Sequence, residues 1–443
     1  MGWFLSESRL LRFSSFTIFY IAQGLPIGLI SVALPAWLAE NNVSTAQIAS
    51  FIAITGLPWG FKLLVGPLMD RFSFLAMGRR RPWVIGAQFG LLIAMVAMVA
   101  MSFVPDPINN IFLLTTAGFF VNVFAAMQDV AVDGMAIDTL PENERGRANS
   151  FMAFGQVAGY SLSGAFCAMM LIQFGLYGAT LTLAAGIALI FIWGIIVRER
   201  KGEKIMPWST GQASKRSLDL QANSWLSIFN DLRKVLFLPT SLLLILIAFL
   251  WRASDGFWLV GAPVIVVQDL HFESTTYSYW TSICTGIAAI LGLFLGPVID
   301  KIGARKVFIG ALAILAFVYL LIGSSVQYWQ SSAFLLGVLI IHSIVTQGCF
   351  ISFIALHMSI CWDKVSATQF AIYMAWSNLA RSIGASIYGE INPNLETGQQ
   401  FFIMGGIVAI AAGLLLMVKV QQHRKRIDEI KDDLNQDMIG PIA

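Results

Sequence analysis

The stretch Gly66-Pro67-Leu68-Met69-Asp70-Arg71 decides how this chain is organised. It ends an apolar segment, and the basic cluster Gly78-Arg79-Arg80-Arg81 follows after a short gap. The pattern recurs about half the chain later as Gly296-Pro297-Val298-Ile299-Asp300-Lys301, again directly after an apolar segment. A period of that length indicates two copies of one large unit rather than a solenoid of short repeats.

Each copy is predicted to form a short elbow between two membrane helices on the cytoplasmic side. A glycine lets a neighbouring helix backbone approach closely, and a carboxylate can meet a helix N-terminus or a guanidinium group. Basic residues hold such a loop on the cytoplasmic side. The predicted gate motif consists of Gly66, Asp70, Arg71, Arg79, Arg80, Gly296, Asp300, Lys301 and Arg305.

The composition is that of a polytopic membrane protein. Hydrophobic residues make up 57% and charged residues 12% of the chain, and the mean hydropathy is +0.74; a soluble domain has roughly twice that charged fraction. Apolar runs near the ~20 residues that a bilayer requires predict an all-α protein with twelve transmembrane helices. These runs cover roughly 14–38, 45–67, 82–104, 110–139, 147–172, 175–197, 238–263, 275–298, 305–325, 331–360, 366–390 and 398–419.

The basic residues predict the topology of these helices. All but three of the 28 Lys and Arg residues fall on one side if twelve helices alternate, so both termini are predicted to be cytoplasmic. The only long polar interruption carries Ser, Gln and Lys and ends in an amphipathic pattern, which predicts a helix lying in the membrane interface. The predicted units are a six-helix bundle at 1–197, a cytoplasmic linker at 198–237, a second six-helix bundle at 238–420 and a cytoplasmic tail at 421–443.

Six charged residues lie inside apolar segments. A charge at the centre of a bilayer costs about 2.5–3.5 kcal/mol on insertion scales, so persistent ones usually face a cavity and have a function. With three of each sign, we expect them to neutralise one another across a central cavity and to change partners as the two halves rock. They are Lys62, Asp129, Asp133, Arg252, Asp255 and Arg381.

Asp129 and Asp133 are the predicted proton-coupling residues. They are four positions apart and therefore share one face of the fourth helix. Two carboxylates this close in a low-dielectric medium favour retention of a proton by one of them. The alternative is that both are static partners of Lys62 and Arg381, and the sequence leaves the two readings open.

Arg381 is the strongest candidate for substrate contact, because it has no acidic residue one helical turn away. Its partner must come from another helix or from an anionic ligand. Arg252 and Asp255 are three apart, which fits a local pair as well as a substrate site, and Gln23 lies at a Gly-Pro break that fits pore lining or helix packing. The predicted substrate-binding set is Arg381, Arg252, Lys62, Asp255, Gln23 and Gln128.

Other polar residues are predicted to play no part in the chemistry. Asp138, Glu390 and His357 lie near span ends and are expected to be solvated. His342, deeper in the tenth span, could titrate, but a hydrogen bond to a neighbouring helix is the favoured expectation. The four cysteines have neither metal-ligand nor disulfide spacing. No spacing of a nucleophile with a base, of metal ligands or of a P-loop occurs in the sequence, so we expect no enzyme activity, cofactor or metal.

The doubled elbow, the twelve spans and the central linker together resemble the major facilitator superfamily over the whole chain. Local phrases resemble its muropeptide permease (AmpG) branch, which also contains acetyl-CoA transporters. They are Gln23-Gly24-Leu25-Pro26, Gly60-Phe61-Lys62, Gly78-Arg79-Arg80-Arg81-Pro82-Trp83, Gln128-Asp129 with Asp133 and Asp138, and Ser366-Ala367-Thr368-Gln369-Phe370.

This resemblance implies a secondary active transporter of the inner membrane that imports a sugar-peptide, driven by the proton-motive force, by alternating access. The expected partners are a polar or anionic small-molecule substrate, protons as the coupling ion and the lipid bilayer, with no nucleic acid, and the expected state is a monomer. Siderophore permeases, for uptake or export, are the alternative within the superfamily. A membrane sensor that binds its ligand without moving it is the alternative outside the transporters.

Overall fold

The computed structural model describes residues 3–104, 110–141, 144–219, 226–292, 294–362, 366–396 and 398–439. Within these ranges the regular structure is helical, apart from an isolated parallel bridge between Phe4 and Arg198. The side chains of Pro67, Asp70, Arg71, Gly296, Pro297 and Asp300 lie outside the described part of the chain. The predicted gate roles of Asp70, Arg71, Gly296 and Asp300 therefore stay predictions.

In the described residues of the first half there are six α-helices. The serines Ser8 and Ser44 cap the first turns of two of them, accepting hydrogen bonds from the backbone N–H of Leu11 and Gln47. The helices are α1 (Arg9–Gly28), α2 (Leu34–Glu40), α3 (Thr45–Arg71), α4 (Arg81–Met101), α5 (Ile111–Thr139) and α6 (Arg145–Ile196).

The linker and the second half contribute the remaining helices. The linker carries α7 (Lys215–Asp219) and α8 (Leu226–Leu236). The second half carries α9 (Pro239–Val264), α10 (Ser274–Gly292), α11 (Leu295–Ile302), α12 (Ala304–Ser324), α13 (Ser332–Ile360), α14 (Ser366–Ile391), α15 (Gln399–Met417) and the tail helix α16 (Val420–Ile439).

Both halves widen their first long helix in the same way. α1 contains Pro26 and continues as a π-helical turn over Leu29–Ala33, and α9 contains Pro263 and continues as a π-helical turn over Ile265–Asp269. A proline inside a helix removes one backbone hydrogen bond and disturbs the regular ladder. The repeated feature supports the two-copy organisation that the doubled elbow predicts.

Within the described ranges, nine helices are long and apolar enough to cross a membrane. One of the nine, α6, has 52 residues and is broken at Gly175, whose φ of 62° and ψ of −163° are not helical, so it can supply two spans. α10 with α11, and α14, run beside the others although they do not meet the criterion of length and apolarity. Twelve spans therefore fit the helices but remain a prediction.

The membrane helices pack as two groups that meet along two seams. In the first group α1 packs against α6 and α5, and α4 packs against both of these helices. In the second, α9 packs against α14 and α15, while α12 packs against α13 and α15. α3 against α14 and α6 against α10 join the two groups, so a site that serves both halves must lie between these seams.

Small residues bring α3 and α14 close together. A Cβ added to Gly56 would lie 2.5 Å from Ser382 Oγ, and one added to Gly389 would lie 2.5 Å from Ala49 Cβ. Such close approach is typical of helix contacts in membranes, where small residues let backbones meet. The first half of α3 therefore packs closely against the C-terminal part of α14.

Polar contacts join the halves on the predicted periplasmic side. Gln268 Nε2 donates to the carbonyls of Ala39 at 2.9 Å and of Val43 at 2.8 Å. Ser274 Oγ donates to Glu40 Oε2 at 2.6 Å. These bonds connect the end of the first predicted span with the end of the seventh and the start of the eighth, and so hold the two halves together on this side.

The linker helix and the tail helix meet beneath the second half. Leu232 and Val235 of α8 pack with Trp362 and with Ile427 of α16 in one small apolar cluster. Arg233 and Lys234 lie in the last turn of α8. An amphipathic helix occurs where the sequence predicted an interfacial one, although the side chains of 221–229 lie outside the described residues.

Candidate functional site

The charged residues of the first half form one cluster. Lys62 Nζ lies 2.8 Å from Asp129 Oδ2, and their side chains are 19% and 7% exposed. One helical turn further, Asp133 accepts a hydrogen bond from the Tyr20 hydroxyl. Lys62 also lies 5.8 Å from the centre of the Trp59 ring. The cluster thus holds two carboxylates against one ammonium group.

The charged residues of the second half form another cluster around one carboxylate oxygen. Arg252 Nη1 donates to Asp255 Oδ2 at 2.8 Å within α9. Arg381 Nε of α14 lies 2.9 Å from the same oxygen, as a charge contact without hydrogen-bond alignment. Arg252 and Asp255 are buried, whereas a third of the Arg381 side chain is exposed. Arg381 is thus the accessible cation of this cluster.

The expectation that the six charges neutralise one another across a cavity is wrong for this state. Each cluster pairs within its own half: Lys62 with Asp129, and Arg252 and Arg381 with Asp255. The first cluster has an excess of negative charge and the second an excess of positive charge. A low-dielectric site favours the nearest partner, and the nearest partners lie within one half, on the same helix for Arg252 and on a neighbouring helix for Lys62 and Arg381.

Gln23 and Gln128 are buried, and only one of the two polar atoms in each side-chain amide has a hydrogen-bond partner among the described residues. Gln23 Oε1 accepts a hydrogen bond from Gln156 Nε2 at 3.2 Å, and Gln128 Nε2 donates to the Phe19 carbonyl at 2.7 Å. Among the described residues, Gln23 Nε2 and Gln128 Oε1 have no hydrogen-bond partner. Both residues are 0% exposed, so neither is accessible to a solute in this state.

Three residues of this region were not singled out from the sequence. Tyr20 holds Asp133, Gln156 holds Gln23, and Tyr160 lies within electrostatic range of Arg381 and Asp255. Their neutral side chains gave no charge signal. Position could have found Tyr20, because it lies one turn before Gln23 and Gly24 on the same helix; Gln156 and Tyr160 lie on α6 and had no such signal.

Asn122 and Asn378 add two further polar side chains near Trp59 and Lys62. Trp59 Nε1 donates to Asn122 Oδ1 at 3.1 Å, and Asn122 Nδ2 donates to the Thr55 carbonyl at 2.7 Å. Asn378 Nδ2 of α14 donates to the Trp59 carbonyl at 3.4 Å and so crosses from one half to the other.

Two of the residues expected to be solvated are buried instead. Asp138 accepts two hydrogen bonds from Arg79 Nη1, both at 3.1 Å, and a weaker one from Arg80 Nε at 3.4 Å. His357 is fully buried, with Nδ1 placed 2.8 Å from the Phe353 carbonyl. His342 lies 3.1 Å from the Tyr319 hydroxyl of α12, which agrees with the expected bond to a neighbouring helix.

Glu199 fixes the first elbow. Its carboxylate accepts hydrogen bonds from the backbone N–H groups of Arg79 at 3.1 Å, Arg80 at 2.7 Å and Arg81 at 2.6 Å. Gly78 has φ +104°, and a Cβ there would lie 2.8 Å from this carboxylate, so the glycine is needed both for its backbone conformation and for space. A carboxylate at the N-terminus of α4 complements the helix dipole.

Burial also changes the acidity of this region, which lies beyond the end of α6. Burial raises the pKa of Glu199, and the three backbone N–H groups oppose that effect. Burial and the neighbouring Glu199 charge raise the pKa of Glu203 to about 7. Glu203 Oε2 accepts a hydrogen bond from the Arg200 backbone N–H at 2.9 Å.

The second elbow has a different anchor. Gly303 has φ +95°, and Arg305 Nε and Nη2 donate to the carbonyls of Leu415 at 3.2 Å and Leu416 at 2.5 Å. Lys301 is exposed. Of the other gate residues, Gly66 lies beside α5, since a Cβ there would be 3.7 Å from Val130 Cγ1. The two elbows share a pattern but are held by different contacts.

No group of His, Cys, Asp and Glu suited to a metal ion occurs in the described part of the chain. Cys167, Cys284 and Cys349 are buried, as expected for small apolar side chains. The buried charged groups instead form one cluster in each of two helix groups that meet along two seams. Such an arrangement defines the class of membrane carriers built from two related halves.

Comparison with known proteins identifies the family. The family model described as Major Facilitator Superfamily matches residues 16–385 and 243–437. The chain belongs to the Major Facilitator Superfamily. It is therefore a multi-pass transporter of the inner membrane.

Relatives within the family agree with the branch that the sequence resembles. The chain is 26% identical over 413 residues to the Anhydromuropeptide permease of Escherichia coli, covering 90% of this chain and 78% of the relative. It is 26% identical over 410 residues to the Putative transporter AmpG 4 of Rickettsia conorii, covering 90% of this chain and 94% of the relative. The predicted resemblance to the muropeptide permease branch is confirmed.

Solved structures of low sequence identity share the fold. The D-xylose-proton symporter has a TM-score of 0.68 at 15% identity, covering 92% of this chain and 97% of its own. A POT family transporter in complex with 5-aminolevulinic acid has a TM-score of 0.68 at 13% identity, covering 91% of this chain and 95% of its own. These similarities bear on the fold alone.

Proposed function

We propose that this transporter imports an anhydromuropeptide-like sugar-peptide by alternating access, driven by the proton-motive force. The relatives named for anhydromuropeptide transport support the substrate class. The observation that carries the proposal is the pair of charge clusters, one in each half, with opposite net charges. A peptide carboxylate matches the basic cluster, and a proton matches the acidic one.

Coupling is assigned to Asp129 and Asp133. Lys62 compensates Asp129 at 2.8 Å, while Asp133 has the neutral Tyr20 hydroxyl as its hydrogen-bond donor. One ammonium group leaves one negative charge uncompensated in surroundings where an unpaired charge costs about 3 kcal/mol. A proton removes that cost, so its binding and release can favour different arrangements of Lys62.

Solute binding is assigned to Arg381. A guanidinium group presents several donors in one plane and suits a carboxylate. Arg381 contacts Asp255 through Nε, while a third of its side chain is exposed. A solute carboxylate can therefore join or replace Asp255 as its partner, which links occupancy of the site to the position of α14.

Uptake by purified protein in liposomes tests this function. With labelled anhydromuropeptide outside and an imposed pH gradient, acid outside, we expect accumulation above the equilibrium level. Asp129→Asn and Asp133→Asn should each abolish accumulation but leave solute exchange at zero gradient, because the proton step is lost and the Arg381 site is kept. Glu390→Gln, a change of an exposed carboxylate on α14, serves as the matched control.

Accumulation by the native protein that does not respond to the pH gradient would refute proton coupling. Undiminished accumulation by both aspartate variants would refute the assignment to these residues. A native protein that neither accumulates nor exchanges anhydromuropeptide would refute the substrate class.

A further inference from the structure

The two halves repeat one close helix contact in detail. A Cβ added to Gly24 of α1 would lie 2.2 Å from the Gln156 carbonyl oxygen of α6. A Cβ added to Gly256 of α9 would lie 2.2 Å from the Arg381 carbonyl oxygen of α14. In both halves the backbone nitrogen four residues further along would be 2.7 Å away. The packing of α1 on α6 therefore corresponds to that of α9 on α14.

This correspondence relates two pairs of polar side chains. Gln23 precedes Gly24 as Asp255 precedes Gly256, and Gln156 stands where Arg381 stands in the other half. Gln156 Nε2 donates to Gln23 Oε1 at 3.2 Å, and Arg381 Nε lies 2.9 Å from Asp255 Oδ2. The same pair thus occurs twice, neutral in the first half and charged in the second.

In each pair one member is buried and the other is accessible. Gln23 and Asp255 are buried, with 0% and 7% exposure. Gln156 is partly exposed, and the Arg381 side chain is 33% exposed. The buried members therefore position the accessible ones, which are the groups that a solute can reach.

The two accessible members belong to the same junction. Tyr160 lies one turn beyond Gln156 on α6 and is within electrostatic range of Arg381. One turn further, a Cβ on Gly164 would be 2.7 Å from Ser282 Oγ of α10. This face of α6 therefore borders the second half of the molecule.

We propose that Gln156 and Tyr160 form the first half's side of the solute site, opposite Arg381. Arg381 takes a carboxylate, and the amide and phenol take a neighbouring hydroxyl or amide group of the same solute. The ligand class is thus an acid with a polar, uncharged group beside its carboxylate. This inference deepens the proposed function and rests on it for the identity of the solute.

Transport kinetics test the contact. Loss of one hydrogen bond to the solute should raise KM for anhydromuropeptide about fivefold in Gln156→Ala and in Tyr160→Phe. Gln23→Ala removes the same internal hydrogen bond from the buried side and should raise KM less than Gln156→Ala does. Equal effects of Gln23→Ala and Gln156→Ala would reduce Gln156 to a structural role and overturn the proposal.

Thiol labelling tests the placement without any solute. In the full chain with its four cysteines replaced, we introduce Gln156→Cys or Tyr160→Cys and compare an anionic with a cationic methanethiosulfonate reagent. Both positions should react, and Cys at 160 should favour the anionic reagent at least threefold until Arg381→Gln is added. Gln88→Cys, at a position that is 0% exposed, is the control that should not react.

The two experiments separate the two claims. If anhydromuropeptide is not transported but labelling behaves as described, the proposed substrate fails and the site stands. If positions 156 and 160 do not react, or if the preference at 160 survives Arg381→Gln, the inference fails whatever the solute is.

Discussion

Gln268 should control the balance between the two orientations of the carrier. Its amide donates to two carbonyls of the opposite half, Ala39 and Val43, on the predicted periplasmic side. Each neutral hydrogen bond contributes about 1 kcal/mol, so Gln268→Ala weakens the closed state by about 2 kcal/mol. The ratio of open to closed molecules on this side should then rise about 30-fold.

Spin labels measure that ratio directly. Labels at Asn41→Cys and Glu273→Cys, both exposed near these contacts, report the separation of the halves by pulsed electron resonance. Gln47→Ala is the control, because the Gln47 side chain accepts a hydrogen bond from Ser44, the N-cap of its own helix, and it should leave the ratio unchanged. A ratio in Gln268→Ala within threefold of the native value would refute the reasoning.

Three further predictions concern stability. Glu199→Gln removes a carboxylate that accepts three backbone hydrogen bonds, at a cost of about 3 kcal/mol, and should lower Tm by about 3 °C; an unchanged Tm contradicts it. The pKa of Glu203 is raised to about 7 in the folded protein, so the folded state holds this proton more tightly than the unfolded state does. The stability that this proton contributes is complete below about pH 4.5 and is lost as pH rises through 7. Tm should therefore fall between about pH 4.5 and 7, and Glu203→Gln should remove this part of the fall. The same dependence of Tm on pH in the variant as in the native protein would count against the prediction. Gly256→Val should abolish the monodisperse peak in size-exclusion chromatography. Gly310→Val should leave this peak unchanged, because no neighbouring atom lies within 4 Å of a Cβ added there.

Much of the fold could be predicted from the sequence because membrane helices carry strong local signals. A run of ~20 apolar residues is a helix in a bilayer, whatever its neighbours are. The doubled Gly-Pro-x-x-Asp pattern predicted the two-copy organisation, and the repeated π-helical turns after Pro26 and Pro263 agree with it. Span ends were less certain, since α3 continues to Arg71 and α6 runs through two predicted spans.

The pairing of side chains could not be predicted, because it depends on which helix faces meet. The charged residues inside apolar segments could be found from the sequence because a charge in a membrane is energetically costly. Their partners could not, because Arg381 and Asp138 pair with residues of other helices and loops. The sequence predicted a solvated Asp138 because this residue lies near the end of an apolar run. Neutral residues such as Gln156 carried no signal until the helix contact was known.

Alternating access requires a solute site that opens to each side of the membrane in turn, and counterflow tests this most directly. Liposomes containing the protein are loaded with unlabelled anhydromuropeptide and diluted into a trace of labelled anhydromuropeptide with no pH gradient. We expect a transient uptake of label well above that of empty liposomes, because the inward-facing site binds unlabelled solute and returns outward loaded. Equal uptake by loaded and empty liposomes would contradict it.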